Sequence, residues 1–139
     1  MEGRQPKRVI WVNGTFDVMH VGHIKLLEYA KSLGDYLVVG IDRDERVREK
    51  KGPTRPINPC EMRMIFLKSI SFVDKVVTFG SDEALRDWIK VFKPELMVVG
   101  VEYKDKEVIG SEFAGGVSFF DKFGDYSTTK ILERNDKED

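Results

Sequence analysis

At 139 residues, the chain has the length of a single domain with one hydrophobic core. Hydrophobic residues make up 41% and charged residues 34%, and the formal net charge of −1 argues against the strongly charged surfaces of general nucleic-acid or membrane binders. No apolar run approaches the ~20 residues of a membrane-spanning helix, and the single cysteine, Cys60, excludes an internal disulfide framework. We expect a cytoplasmic protein with one domain over residues 1–139, without nucleic-acid or membrane partners, and flexible at roughly residues 1–8 and 135–139.

Short apolar runs alternate with helical patterns along the chain. Strands are predicted at residues 9–12, 36–41, 73–79, 96–101 and 117–120, and helices at 21–33, 59–71, 82–92 and 127–134. Nearly continuous apolar strands separated by helices are typical of a parallel sheet covered on both faces. We therefore predict an α/β fold with a doubly wound, five-stranded parallel sheet. Four aromatic residues on these elements are expected in the core: Trp11, Phe66, Phe72 and Trp88.

Two longer connections interrupt this alternation. Residues 45–58 are rich in basic side chains and contain Gly52, Pro53 and Pro56, which predicts a loop or short helix over the sheet edge. Residues 102–116 carry mixed charges and several glycines. Long connections in a compact domain are often binding loops. In an open parallel sheet, ligands bind beyond the carboxyl ends of the strands, near the point where the strand order reverses.

Both histidines of the chain, His20 and His23, lie between the first predicted strand and the first predicted helix. A strand, a glycine-bearing turn and a helix start form a phosphate-binding geometry, because free backbone N–H groups and the positive end of the helix dipole meet there. Thr15 and Phe16 can present backbone N–H groups, and Gly22 lets a ligand approach the helix without a β-carbon in the way. The two imidazoles can donate hydrogen bonds to phosphoryl oxygens. This arrangement favours chemistry on a nucleotide phosphate.

Two other interpretations of the histidine pair are open. The pair can ligate zinc in a hydrolase with Asp17 as a third ligand, although zinc sites usually offer more ligands than this. Alternatively, one histidine caps the helix and the other packs against it. The segment Gly-Thr-Phe-Asp at residues 14–17 favours the phosphate interpretation over both.

Residues 14–23, which read GTFDVMHVGH, resemble the G-[TV]-F-D-x-x-H-x-G-H signature of the cytidylyltransferase-like nucleotidyltransferases. The resemblance extends from about residue 9 to residue 134 and implies a small, Rossmann-like sheet. Residues 51–59 and 61–64 look like the K-G-x-x-R-P-[VI]-N and E-x-R-M segments of the heptose 1-phosphate adenylyltransferases in this family, and residues 100–112 resemble their G-x-D-Y-K…G-S element. Residues 24–28 and 33–39 are instead more similar to the glycerol-3-phosphate cytidylyltransferases.

The resemblance implies nucleotidyl transfer, with His20, His23 and Lys51 as catalytic residues. It implies nucleotide binding by Gly14, Thr15, Phe16, Asp17, Gly22, Gly100, Glu102, Ser127, Thr128 and Thr129. It implies substrate binding by Arg55, Arg63 and Tyr103. Asp17 is acidic and is expected to orient its loop, and a structural pairing of Arg63 with Glu61 or Asp74 is an equally open interpretation. No metal-ligating residue is expected, because Mg²⁺ enters with the nucleoside triphosphate.

The implied substrates are ATP and a heptose 1-phosphate, and CTP with glycerol 3-phosphate is the alternative. A catalytically silent nucleotide-binding domain is the third possibility, because Glu102 stands where the family has aspartate and Asp125 where it usually has glycine. The family also implies a homodimer, for which the aromatic-rich residues 113–123 are a candidate interface.

Overall fold

The computed structural model describes residues 7–121, so the predicted final helix and the segment Ser127 to Thr129 lie outside the described residues. In chain order the strands and helices are β1 (Val9–Gly14), α1 (Val21–Ser32), β2 (Tyr36–Asp42), α2 (Asp44–Lys51), α3 (Cys60–Lys68), β3 (Lys75–Phe79), α4 (Asp82–Phe92), β4 (Leu96–Gly100) and β5 (Val117–Phe120). Two short 3₁₀ turns, Val101–Tyr103 and Ser111–Phe113, lie between β4 and β5.

Two boundaries differ from the predicted ones for a shared reason. The chain turns sharply after α3, where the N–H of Ile70 bonds to the carbonyl of Leu67 and the N–H of Val73 bonds to the carbonyl of Ile70. This turn ends the helix three residues before the predicted end and delays β3 to Lys75. The first half of the basic connection folds as α2, and the rest is loop.

The sheet has five parallel strands in the order β3-β2-β1-β4-β5, which confirms the predicted doubly wound fold. The chain proceeds outward from β1 through β2 to β3 and then returns to the other side of β1 with β4. Strand β1 pairs with β2 along the whole length of β1, from Val9 with Tyr36 to Gly14 with Ile41. Strands β1 and β4 pair only at Ile10 with Leu96 and at Trp11 with Met97. Their carboxyl ends therefore separate, and a crevice opens between them.

The core lies in two layers, one on each face of the sheet. On one face Ile10 and Val12 of β1 pack with residues of α1 and α3, and on the other face the fully buried Trp11 packs with Leu85 and Ile89 of α4. Because the strands are buried on both faces, they read as continuous apolar runs in the sequence. None of the helices in residues 7–121 is long and apolar enough to cross a bilayer.

The prediction that Phe66 belongs to the core is wrong. Phe66 is 54% exposed, whereas Arg63 and Leu67 take the inward positions of α3 and are fully buried. The other three aromatic residues, Trp11, Phe72 and Trp88, pack in or against the two core layers.

Candidate active site

The crevice between β1 and β4 holds a cavity of about 340 Å³ at the carboxyl edge of the sheet. Five residues expected at the site line it: Gly14, Thr15, Lys51, Gly100 and Tyr103. Asp42, at the end of β2, and Arg46 and Lys50, on α2, complete the wall on the α2 side. The cavity therefore lies where the reversal of strand order predicts a ligand site.

The turn between β1 and α1 has an unusual backbone. Phe16 (φ 52°) and Val18 (φ 48°) both adopt left-handed conformations, which bulky residues rarely take. The carboxylate of the buried Asp17 accepts hydrogen bonds from the backbone N–H groups of Ile57 (2.6 Å) and Asn58 (2.8 Å). Asp17 thus ties this turn to the loop that carries Arg55, and these bonds help to hold a conformation that costs of order 1–3 kcal/mol per strained residue.

His20 caps the start of helix α1, and His23 accepts a hydrogen bond from the backbone of His20. His20 is the N-cap, and its Nδ1 accepts the backbone N–H of Gly22 at 3.0 Å. The Nδ1 of His23 accepts the backbone N–H of His20 at 3.1 Å, and the two ring centres are 4.0 Å apart. An imidazole whose Nδ1 accepts a hydrogen bond carries its proton on Nε2 when neutral. Helix capping through Nδ1 is therefore compatible with donation from Nε2. The capping interpretation and the phosphate interpretation of the pair do not exclude each other.

The surroundings of the histidines favour the neutral form. Burial, together with the nearby charges of His20 and Lys51, lowers the pKa of His23 to about 4. Burial also lowers the pKa of His20. At neutral pH the uncharged form of both side chains is therefore favoured, and in this form Nε2 is the nitrogen that can donate a hydrogen bond.

Two cations lie near this turn: Lys51 is close enough to His23 to lower its pKa, and Arg55 lies beside Asp17 and near Lys51. Lys51 ends α2, and burial together with the charge of Arg55 lowers its pKa. The side chain of Arg55 is 11% exposed, and its Nε lies 3.7 Å from Oδ2 of Asp17. The buried Nε and Nη2 atoms of Arg55 have no hydrogen-bond partner within residues 7–121. Buried N–H donors of this kind are normally satisfied, so an anionic ligand is the partner that fits them.

Arg63 is placed differently from either expectation. Its guanidinium is fully buried and donates from Nη1 to the carbonyl oxygens of Thr15 (2.9 Å) and Asp42 (2.7 Å). Its remaining bonds go to the carbonyl of Asn58 (2.9 Å) and to Oδ1 of Asp44 (2.7 Å).

The expected ion pair with Glu61 or Asp74 is therefore corrected to one with Asp44. In this structure Arg63 also offers no free guanidinium nitrogen to a substrate, since all three donate inside the protein. Arg63 instead fixes the positions of three chain segments that surround the cavity.

The remaining expected residues lie around the same edge. Gly22 belongs to the first turn of α1. Tyr103 is 47% exposed in the 3₁₀ turn after β4. A β-carbon at Gly100 would meet the carboxylate of Glu102, but this is the far end of a flexible, exposed side chain that can move aside, so the contact alone does not require glycine.

The sequence did not predict a group of three charged residues at the cavity, Arg46 with Asp42 and Asp82. Arg46 is buried and donates from Nε to Asp42 at 2.7 Å and from Nη2 to Asp82 at 2.6 Å. The hydroxyl of Thr15 also donates to Asp42, at 3.3 Å. The clustering of basic residues between Arg43 and Lys51 was the one signal in the sequence that pointed to this region.

The described residues do not fit a resident metal ion. Within residues 7–121, no three histidine, cysteine or acidic side chains are grouped as metal ligands. Both Nδ1 atoms accept backbone N–H groups, so each neutral ring carries its proton on Nε2 and has no free lone pair for zinc, and the carboxylate of Asp17 accepts two backbone N–H groups. No catalytic step is therefore assigned to a metal held by these side chains.

Comparison with known proteins gives consistent relatives. A family model described as cytidylyltransferase-like matches residues 11–134. The bifunctional protein HldE of Nitratiruptor sp. is 45% identical over 131 residues, which cover 94% of this chain and 28% of that protein. HldE of Sulfurimonas denitrificans is 44% identical over 128 residues, or 92% of this chain and 27% of that protein. The chain thus spans little more than a quarter of the length of these curated relatives.

Solved structures agree on the fold. The lipopolysaccharide core biosynthesis protein from Thermoplasma volcanium superposes with a TM-score of 0.66 at 25% identity, covering 88% of this chain and 100% of that one. A pantoate-beta-alanine ligase from Francisella tularensis, complexed with beta-gamma ATP and beta-alanine, superposes with a TM-score of 0.61 at 15% identity. It covers 94% of this chain and 69% of that one, and at this identity the likeness concerns the fold alone.

Proposed function

Because this chain belongs to the cytidylyltransferase-like family, we propose that it is a nucleotidyltransferase that joins a nucleoside triphosphate to a sugar phosphate and releases pyrophosphate. The observation that carries the proposal is one cluster of side chains, of which Lys51 lines the cavity. It consists of two neutral imidazoles protonated on Nε2, the cation Lys51, and the buried guanidinium of Arg55 with two N–H groups left for an anion.

We propose ATP and a heptose 1-phosphate as the substrates. Two features support this choice: the resemblance of residues 51–59 and 100–112 to heptose 1-phosphate adenylyltransferases, and the identity of 42–45% to several HldE proteins. CTP and glycerol 3-phosphate remain the second candidate pair, because residues 24–28 and 33–39 are more similar to the glycerol type.

In the proposed reaction, an oxygen of the sugar phosphate attacks the α-phosphorus of the triphosphate in line. A new P–O bond forms, the bond to the β-phosphate oxygen breaks, and pyrophosphate leaves with the electron pair. The attacking oxygen is already anionic, so no side chain has to remove a proton from it. Positioning and charge stabilisation then supply most of the rate enhancement.

The side chains of the cluster have separate tasks in this scheme. His20 and His23 donate from Nε2 to phosphate oxygens as negative charge develops on them, and their position at the start of α1 adds the positive end of the helix dipole. Lys51 and Arg55 neutralise the charge of the phosphate groups. Backbone groups of residues 14–16 hold the phosphate chain, and Asp17 keeps their turn in place through Ile57 and Asn58.

Two further components complete the proposal. Mg²⁺ arrives bound to the triphosphate, because it prefers phosphate oxygens and water to a cage made entirely of side chains. The residues Gly100, Glu102 and Tyr103 line or border the far wall of the crevice, where the nucleoside or the sugar is bound. Ser127, Thr128 and Thr129 are proposed as further phosphate ligands on the strength of the resemblance alone. Since both substrates are soluble metabolites, we place the reaction in the cytoplasm.

The decisive experiment measures pyrophosphate release in the presence of Mg²⁺, with ATP and CTP each tested against heptose 1-phosphate and glycerol 3-phosphate. Turnover with ATP and the heptose phosphate alone supports the proposal, and turnover with CTP and glycerol 3-phosphate supports the alternative. Binding of a triphosphate without turnover in any of the four mixtures, together with failure across a panel of other sugar phosphates, would identify a catalytically silent nucleotide-binding domain.

A further inference from the structure

The end of β2 places a carboxylate in the wall of the cavity. Asp42 lines the cavity on the α2 side, and its side chain is 13% exposed. Among the residues that the structure describes, Glu107 is the other carboxylate of the lining, but its side chain is 81% exposed and lies 3.9 Å from Arg86. The largely buried charge of Asp42 repels phosphate groups, so this carboxylate is suited to a part of a substrate that carries hydrogen-bond donors.

Arg46 holds the carboxylate of Asp42 in one orientation. Oδ1 of Asp42 accepts Nε of Arg46 at 2.7 Å, and Nη2 of the same guanidinium donates to Asp82 at 2.6 Å. The guanidinium carbon also lies 5.3 Å from the ring centre of Phe79, and the side chain of Arg46 is 8% exposed. Three contacts thus fix the position of Arg46, which offsets the charge of Asp42 and acts on it as a positioning residue.

The second oxygen of this carboxylate can accept a further hydrogen bond. Within residues 7–121, Oδ2 of Asp42 accepts the hydroxyl of Thr15 at the long distance of 3.3 Å. A carboxylate oxygen has two lone pairs, so one of them is left for a donor in the cavity. A hydroxyl group of a ligand is such a donor, whereas a phosphate oxygen without a proton is not.

The two walls of the cavity differ in chemistry. On the β4 side, Tyr103, Val108 and Ile109 offer aromatic and aliphatic surface, which fits the flat face of a nucleoside base. On the α2 side, Asp42 offers an acceptor for hydroxyl groups, and Lys50 and Lys51 offer cations for phosphate groups. A sugar phosphate carries hydroxyl and phosphate groups together, so the α2 side fits this substrate.

We propose that Asp42 is a specificity-determining residue for the acceptor, and that its Oδ2 accepts a hydrogen bond from a hydroxyl group of the sugar phosphate. The inference rests on the proposed nucleotidyl transfer and deepens it, because it places the sugar on the α2 side and leaves the β4 side to the nucleoside. An acceptor without this hydroxyl group leaves the carboxylate oxygen desolvated without a partner and is therefore rejected.

The first test measures the KM of each substrate for Asp42→Asn at a saturating concentration of the other substrate. The variant is nearly isosteric, and loss of the negative charge alone would lower the KM of both anionic substrates. Loss of the charged acceptor should instead raise the KM of the sugar phosphate about tenfold, without a rise in the KM of the triphosphate. Asp82→Asn is the matched control, since Asp82 bonds to the same arginine but does not line the cavity.

Three results of this test would overturn the proposal. They are an unchanged or lower KM of the sugar phosphate in Asp42→Asn, an equal rise in Asp82→Asn, and a rise in the KM of the triphosphate instead. The equal rise would show that Asp42 acts only through the position of Arg46. The third result would place the nucleoside at Asp42.

The second test compares the sugar phosphate that supports turnover with its monodeoxy analogues. With the wild type, one analogue should lose at least about tenfold in kcat/KM, and with Asp42→Asn the loss for the same analogue should be much smaller. Equal use of all analogues by the wild type would contradict the proposal even if the variant failed to fold, and so would full discrimination by the variant. An active wild type with these results overturns the role of Asp42 alone, whereas a wild type inactive with every acceptor overturns the proposed function and this role with it.

Discussion

The Nδ1 atom of His23 accepts the backbone N–H of His20 at 3.1 Å, so the two histidines of the chain are joined through the backbone at the start of α1. This bond fixes which nitrogen of His23 carries the proton. Because Nδ1 accepts this bond, the ring can donate only from Nε2. The two roles of the ring, acceptor in the helix cap and donor to a ligand, can therefore be separated by substitution.

Asparagine and glutamine substitutions separate these roles at residue 23. The amide of asparagine reaches the position of Nδ1, so His23→Asn keeps the cap acceptor and loses the Nε2 donor. We expect it to fold with near wild-type stability and to lose about 10²–10³ in kcat, the usual cost of one charge-stabilising donor. His23→Gln reaches the position of Nε2 and should retain more activity at lower stability. Pyrophosphate release and urea unfolding of both variants check this, and full activity in His23→Asn would refute the role of Nε2.

The lowered pKa of His23 predicts a stability that depends on pH. The folded chain favours the neutral ring, with a pKa of about 4 against an unfolded value of 6.5. The stabilising contribution is therefore complete above pH 6.5 and is lost as the pH falls from 6.5 towards 4, by up to about 3 kcal/mol.

Urea unfolding at several pH values between 4 and 7 measures this loss. His23→Asn is the control, because it contains the same acidic residues and lacks the titrating ring. The free energies of unfolding of the two proteins should therefore be similar near pH 7 and diverge as the pH falls across this window, with the wild type losing more, and parallel curves would show that His23 does not titrate as described.

The sequence indicated the fold more completely than the site, for physical reasons. Strands buried on both faces must be apolar along their length. The alternation of strands and helices could therefore be predicted from the sequence alone. Arg63 and Asp44 form an ion pair although they are 19 positions apart in the chain and lie on different helices. No local sequence pattern predicts such a pairing.

Helix α3 shows why the core was predicted less well than the strands. Its apolar residues occupy both the buried and the exposed side, so their number exceeds what one face can bury. Residues such as Phe66 then look like core residues in the sequence although they lie at the surface. The buried position of Arg63 could not be predicted from the sequence either, because arginine is rarely buried unless it is paired.

Arg63 should be essential to stability and to the shape of the site. Arg63→Met removes four hydrogen bonds and the ion-pair partner of Asp44, whose carboxylate keeps only the backbone N–H of Cys60, and we expect this to cost about 3–5 kcal/mol of the free energy of unfolding. Arg63→Lys keeps the charge but cannot reach three chain segments at once, so it should fold and have reduced activity. Arg48→Met, at an exposed position of α2, is the matched control and should cost little. Chemical denaturation with activity assays checks all three, and a wild-type result for Arg63→Lys would contradict the positioning role.

Arg55 should bind the phosphate groups of a ligand. Its replacement should reduce the stability of the fold only a little. Its Nε and Nη2 atoms are buried without hydrogen-bond partners in the described residues, so the guanidinium gains most when an anion is bound. Inorganic pyrophosphate should therefore raise the Tm of the wild type, and this shift should largely disappear in Arg55→Gln. We expect the same variant to weaken triphosphate binding by at least about tenfold, because a hydrogen bond to a charged group contributes about 1.5–3 kcal/mol.

Thermal unfolding with and without pyrophosphate measures the shift in Tm, and calorimetric titration with ATP measures the change in triphosphate affinity. Arg43→Gln, an exposed arginine of the same basic region, serves as the control. An equal loss of the pyrophosphate shift in both variants would indicate general charge attraction and not a site at Arg55.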